Sequence, residues 1–511
     1  MANRKSAQIN RRDFLKYAGL GLSAAGASVL LQACGAPATP TAAPTNPPPP
    51  PTAVPPTAMP TAVPPTAVPP TAVPTAVLPT AVPPTLAPTA VPTKAIPTGQ
   101  NLKMWWWGES EAPGLEKWLD ESISLYQKAT GNTIAPTQQT VDTVVSGFET
   151  AAAAKNAPDL QFFWNGIYHM EAVWLGYVQP LNGLVSDDLL KSSNASILSV
   201  FQGKQYRLGW YPESPLWVYN KDMFDKAGLN ADQPPLTFDD LISACDKLKA
   251  KGFTPIVAGL KDGPWGEWFM GHGLTGNLDS PADALNLFAG ELDWRDPKYH
   301  DHWDKLAQLW KAKYFNDDMN SVDLYPGIDM FGAGKGAMTA LVVPTIAKEA
   351  GMLGSSKIGP MVFPISGKGK LNGKPIVDSA GLGICSQSTN QVVAADFLTF
   401  LHSSERISAL WSEVSAMPMD TSWDGSAITD PLMQQVWKGW VVNPDAVPYI
   451  SDLMPTLFWT DAMFVNSQKI IAGEYTGEQA AENAVAVTKK WRDQNPDMLA
   501  NYKLWAKDLA F

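Results

Sequence analysis

Leu102-Lys103-Met104-Trp105-Trp106-Trp107 is a short apolar run, and after Pro113 the residues Leu115, Trp118, Leu119, Ile123 and Tyr126 recur at helical spacing until Gly131 stops them. A second strand-like run, residues 133–137, follows at once. Strand, helix and strand in immediate succession read as an α/β unit. The alternation continues with a helix through Val144 and Phe148 to Lys155, a strand over residues 159–164, and another helix from about Tyr168. Thr237-Phe238-Asp239-Asp240 opens a further helix as an N-cap with an acidic partner three residues on, closed by Gly252, and Thr476-Gly477-Glu478-Gln479 is a similar start near the end.

Ahead of this pattern lies a different kind of sequence. Arg11-Arg12-Asp13-Phe14-Leu15-Lys16 resembles a twin-arginine export signal, with Asn10 where Ser or Thr is usual, and Leu31-Gln32-Ala33-Cys34 resembles a lipobox. The apolar stretch between them is too short and glycine-rich for a comfortable membrane span, so residues 1–33 read as a targeting segment and Cys34 as the lipidated residue. Residues 36–97 hold 22 of the 45 prolines and a single charge, Lys94. Without aromatic residues or ion pairs this stretch cannot bury enough surface to fold, and polyproline II is the expected conformation. At ~3.1 Å per residue its reach is roughly 190 Å, so residues 34–99 read as a stalk holding the folded part off the outer face of the cytoplasmic membrane. The threonines also suit O-glycosylation.

The remaining 412 residues exceed what one core usually serves, and two lobes are expected. A net charge of −11 and the lack of any basic run in the folded part argue against nucleic acid as a partner. With Cys34 committed to lipid, Cys245 and Cys385 are expected as two buried thiols, although an oxidising compartment would permit a bridge. No zinc spacing, His-Glu-x-x-His or Gly-x-Ser-x-Gly occurs, and Gly332-Ala333-Gly334-Lys335-Gly336 lacks the leading glycine and following hydroxyl of a phosphate loop. Residues 316–323 lack the mid-loop glycine and terminal glutamate of a calcium loop, and His300 and His302 read as a solvated, charged loop. No cofactor or metal is expected.

All 20 tryptophans lie after residue 104. Many must be core, but several fall where α/β folds put ligands, at strand carboxyl ends or in the loops beyond. Trp107 and Trp164 end strands, and Trp265 and Trp268 read as a Gly/Pro loop. Flat apolar faces beside carboxylates such as Glu109 and Glu213 suit a sugar, whose C–H faces stack while its hydroxyls hydrogen-bond.

Several runs in a fixed order resemble the extracellular solute-binding proteins of carbohydrate ABC importers, the family that includes maltodextrin-binding proteins. They are Ala157-Pro158-Asp159, Trp217-Val218-Tyr219-Asn220-Lys221-Asp222, Pro235-Leu236-Thr237-Phe238-Asp239-Asp240-Leu241, Phe331 with Gly334-Lys335-Gly336-Ala337-Met338, Ser379-Ala380-Gly381, and Gly473-Glu474-Tyr475-Thr476-Gly477-Glu478-Gln479-Ala480. The resemblance implies a type II periplasmic-binding-protein (Venus-flytrap) α/β fold with three interlobe crossings. Residues 100–213 and 364–415 would form lobe 1, and residues 214–363 and 416–511 lobe 2. It implies ligand contacts at Trp107, Glu109, Trp164, Glu213, Trp265, Trp268 and Trp459, the last in Phe458-Trp459. Where the family has a further stacking tryptophan this chain has Val342-Val343-Pro344-Thr345, which removes a platform. The implied function is capture of a sugar by a monomeric binding protein that closes on its ligand and delivers it to permease subunits, without catalysis. Polyols, polyamines, peptides, a tethered glycoside hydrolase and a cell-wall lectin remain as alternatives.

Overall fold

The computed structural model describes residues 95–193, 197–364 and 367–509. The expected export signal, the expected lipidation site at Cys34 and nearly all of the expected stalk lie outside the described residues. No helix among those described is long and apolar enough to cross a membrane.

The opening αβ unit forms as its spacing predicts. Strand β1 (Asn101–Trp106) pairs in parallel with β2 (Thr133–Gln138), in register Asn101 to Thr133, across helix α1 (Leu115–Thr130). Helix α1 buries Leu115, Trp118, Leu119, Ile123 and Tyr126, and Gly131 ends it in the left-handed conformation that glycine adopts without a Cβ clash. Strand β3 (Leu160–Phe163) lies on the other edge of β1, followed by α2 (Ile167–Trp174) and β4 (Val178–Gln179). Strand β5 (Arg207–Pro212) and the late β10 (Ser379–Cys385) complete a six-stranded sheet, β10 running antiparallel to β3, β4 and β5.

Two residues after β5 the chain enters a second sheet. Strands β6 (Pro215–Asn220), β7 (Thr254–Ile256), β8 (Gly336–Val342) and β9 (Ile358–Met361) stand in the order β9-β6-β8-β7. Between them run α3 (Phe238–Ala250), α4 (Pro264–Thr275) and α5 (Leu324–Gly332). Thr237 and Asp240 make the reciprocal cap of α3, and Thr476 with Gln479 does the same for α6 (Gly477–Gln494). The last helix, α7 (Pro496–Asp508), sets Trp505 edge-on to Trp174 of α2, while Asp508 accepts the Gln202 backbone N–H at 2.6 Å. The molecule is thus a two-lobed α/β protein, each lobe built on its own sheet.

One sequence expectation changes here and another holds. His300 and His302 are not a solvated loop: both sit on the helix Pro297–Lys311 and are buried, His302 completely, against Trp303. A helix whose inner face takes histidine looks charged in sequence because its outer face is. Cys245 and Cys385 are buried free thiols, as expected.

Candidate functional site

The carboxyl end of β1 feeds a tight loop, Trp107-Gly108-Glu109-Ser110-Glu111. Gly108 has φ of 138°, and a Cβ there would strike the Tyr211 hydroxyl, so only glycine lets the loop fold back. The turn sends the two glutamates different ways. Glu109 caps helix α1, accepting the backbone N–H groups of Gly114 at 2.8 Å and Glu116 at 2.7 Å. Glu111 instead turns inward and is buried. The ligand role expected of Glu109 is therefore occupied by a helix-capping role, and Glu111 is the residue the loop delivers to the interior.

Trp107 is buried against Phe162 and stands edge-on to Trp164, at 5.4 Å between centroids. Trp164, just past β3, donates its indole N–H to Glu213 at 3.0 Å and stands edge-on to Tyr168 at 6.0 Å. Tyr168 in turn meets Trp459 at 5.6 Å. Trp459 begins a π-helical turn, Trp459–Phe464, a backbone distortion that recurs at functional sites. Its indole N–H donates to Glu267 at 2.6 Å, and the Tyr168 hydroxyl reaches the other Glu267 oxygen at 3.5 Å. The sequence-expected pair Trp164 and Trp459 thus lies along one aromatic run, each ring partly buried and each tied to a buried carboxylate.

Trp265 does not join them. It and Trp268 lie on helix α4, not in a loop: Pro264 sits at the first helical position and Gly263, at φ 98°, precedes it. Trp265 is fully buried among Trp217, Phe269 and Phe315 and belongs to the core of the four-stranded lobe. Trp268 is 7% exposed, and its backbone carbonyl faces the His272 ring. Between the two tryptophans stands Glu267, which the reading of the sequence passed over. Helix α4 is buried on every face, so no apolar stripe marks which residue points to a site.

Glu111, Glu213, Glu267, Asp378 and Asp452 are all buried, with Arg207 the guanidinium among them. That guanidinium is spent on the protein itself: Nε donates to Ser199 at 2.8 Å, Nη1 to the Ser379 carbonyl at 2.8 Å, and Nη2 to the Ser379 hydroxyl at 3.0 Å. Burial pushes Glu267 up to about 8 despite the bonds from Trp459 and Tyr168, and Arg207 down to about 10. Asp378 and Asp452 are both raised, first by burial.

The two lobes meet directly around this cluster. Tyr325 of α5 donates to Glu111 at 3.1 Å, Thr456 donates to Glu171 of α2 at 2.7 Å, and a Cβ on Gly166 would run into the Asp452 carbonyl. Gly271 is bare because the Tyr449 ring lies on it. Among the described residues, no group of His, Cys, Asp or Glu is arranged to hold a metal ion.

Two lobes on separate sheets, meeting over an aromatic and acidic seam, are the architecture of a two-lobed solute-binding protein. The chain belongs to the bacterial extracellular solute-binding protein family, whose model matches residues 108–406. Among solved structures, a chitin oligosaccharide binding protein superposes with a TM-score of 0.69 at 20% identity, covering 76% of this chain and 98% of that one. The maltose/maltodextrin-binding domain MalE of Bdellovibrio bacteriovorus, bound to maltotriose, gives 0.60 at 18% identity, over 77% and 100%. These likenesses establish the fold. In sequence, the sn-glycerol-3-phosphate-binding periplasmic protein UgpB of Rhizobium meliloti is 32% identical over 106 residues, and that of Escherichia coli K12 is 46% identical over 107. Each match spans 20% of this chain and about a quarter (24%) of the relative's length.

Proposed function

We propose that this chain is the substrate-binding lipoprotein of an ABC importer: anchored through Cys34, carried on its Pro/Thr stalk, it captures a sugar or oligosaccharide by lobe closure and passes it to the permease. The observation that carries this reading is the run Trp164, Tyr168 and Trp459, with Glu213 and Glu267 hydrogen-bonded to its indoles where the two lobes meet. Entry of a sugar parts the lobes, frees the indole faces for stacking and offers the carboxylates to hydroxyls, which bond to carboxylate oxygens as well as the indole N–H does. Contact with both lobes favours the closed state, because only differential affinity shifts an open–closed equilibrium. No step of this cycle requires bond cleavage.

A phosphate ester, as the name of the UgpB relatives suggests, fits the cleft poorly. The guanidinium of Arg207 is fully engaged, and surrounding carboxylates would repel a dianion. The same surplus of carboxylates favours, as a second reading, a hydroxylated ligand that carries an amine. A thermal-shift screen over neutral sugars, amino sugars, polyamines and sn-glycerol 3-phosphate decides among them, since a ligand at 100 times its Kd adds ~2.7 kcal/mol. Stabilisation by oligosaccharides supports the proposal; stabilisation by the phosphate ester alone overturns it. Release of reducing ends from a bound oligosaccharide would make the protein a hydrolase instead.

A further inference from the structure

Three helices end together at one pole of the four-stranded lobe. Helix α3 closes at Lys251, the helix Pro297–Lys311 at Ala312 and α5 at Ala333, and each end lies at the amino ends of strands β7 and β8. Gly336 of β8 pairs with Thr254 of β7, and the Ile256 N–H donates to the Tyr314 carbonyl at 2.9 Å, which holds the three ends in one patch. Lys249, Lys251, Lys311, Lys313 and Lys335 lie there, all exposed. The Lys249 ammonium donates to the Ala312 carbonyl at 2.7 Å and stands 5.8 Å from the centre of the Tyr314 ring, tying the first helix end to the second. Among the described residues none of the five forms an ion pair, whereas Lys221, Lys357 and Lys503 elsewhere pair with Asp232, Asp222 and Glu291.

Lysines at helix carboxyl ends offset the macrodipole, but here they exceed that need. Each end carries a charge of about −0.5, and Asp246, which accepts the Tyr314 hydroxyl at 2.7 Å, adds one carboxylate. Five lysines therefore leave a surplus of roughly +2.5 at the pole of a chain whose net charge is −11. Lysine is a compact charge on a flexible stem, so an exposed array of lysines fits a fluid surface of phosphates better than one fixed, planar anion. We propose that this pole docks on anionic phospholipid headgroups. The inference goes beyond sugar capture and rests on the proposed anchor at Cys34 only for bringing the protein to a membrane. Docking leaves the seam clear: the seven residues of β8 run roughly 20 Å from the pole to Val343, whose N–H donates to the carbonyl of Ser214, next to Glu213.

The test uses the full lipidated chain seated in vesicles, with a donor dye on Ala250→Cys, an exposed position beside the lysines, and acceptor dyes on lipid headgroups; the thiols of Cys245 and Cys385 are buried. The dye pair is chosen with a range far shorter than the stalk's reach of roughly 190 Å, so strong transfer reports a docked pole. Transfer should be strong on vesicles containing phosphatidylglycerol and weak on pure phosphatidylcholine. It should be lost as salt rises from ~0.1 M to ~1 M and the Debye length shrinks from ~10 Å to ~3 Å. Lys313→Gln with Lys335→Gln should lower the ratio of docked to undocked protein about 25-fold, about fivefold per charge, while Lys313→Arg with Lys335→Arg keeps it. Melting curves check that each variant folds. Equal transfer on the two kinds of vesicle, or a double Gln variant that docks like wild type, overturns the proposal. Binding of soluble polyglutamate without preference for anionic vesicles also overturns it, and makes the partner an acidic protein. A Cys34 that carries no lipid sinks the anchor reading instead; the pole is then read by flotation, where wild type should rise with phosphatidylglycerol vesicles and the double Gln variant should not. Calorimetric titration with the oligosaccharide that stabilises wild type best reads sugar capture separately, and the double Gln variant should bind it as wild type does.

Discussion

The tryptophans inside the four-stranded lobe and those at the junction of the lobes share a side chain and little else. Trp217 and Trp265 are sealed among aromatic rings, and their indole N–H groups have no acceptor. Trp164 and Trp459 are only partly buried, and each N–H is held by a buried carboxylate. The contrast teaches that lying at a strand end or beside Gly and Pro does not make an indole a ligand platform. What separates the groups is a polar partner for the N–H and incomplete burial of the ring.

That distinction breaks most visibly at Trp265. Replacing it by Ala should cost ~3–5 kcal/mol of stability through the cavity left behind, with ligand affinity per folded molecule unchanged; melting curves and calorimetric titration check both halves of the statement. Trp164→Ala should invert the pattern, costing roughly 2–4 kcal/mol of binding while the melting temperature moves little. Should Trp164→Ala unfold early and Trp265→Ala lose only affinity, the comparison is backwards.

Glu267 sharpens it through pH. Its carboxyl is raised to about 8, chiefly by burial, so folding takes up a proton there. The stability this contributes is complete below the ordinary 4.5 and is lost as pH rises through about 8, an effect of roughly 1–3 kcal/mol. Glu267→Gln should flatten that part of the stability profile, and an unchanged slope would place the proton elsewhere. Glu109→Ala should have the smallest effect, about 1 kcal/mol of stability for the lost cap of α1. Binding should be untouched; a tenfold weaker Kd would show that Glu109 reaches the ligand after all.

The architecture was legible because it rests on periodicity and caps that act locally. The stripe from Leu115 to Tyr126, the glycine at 131 and the Thr237 and Thr476 caps all formed as spaced. In the seam, the sequence pointed to Trp164 because it ends a strand, and to Glu213 and Trp459 through the family resemblance. Glu111 was missed because sequence cannot tell which of two glutamates a positive-φ glycine will turn inward. Glu267 was hidden in a helix buried all round, and Tyr325 meets Glu111 only across the lobe contact. His300 and His302 failed for the related reason that the charges flanking them line the outer face of their helix.

Trp459 tests the central claim most directly, since it joins the π-helical turn, the aromatic run and Glu267 in one side chain. The measurement is calorimetric titration of wild type and Trp459→Ala with the oligosaccharide that stabilises the wild type best. A loss of roughly 2–4 kcal/mol in binding with a near-unchanged melting temperature is the predicted result. Undiminished affinity in a folded Trp459→Ala protein would contradict the account.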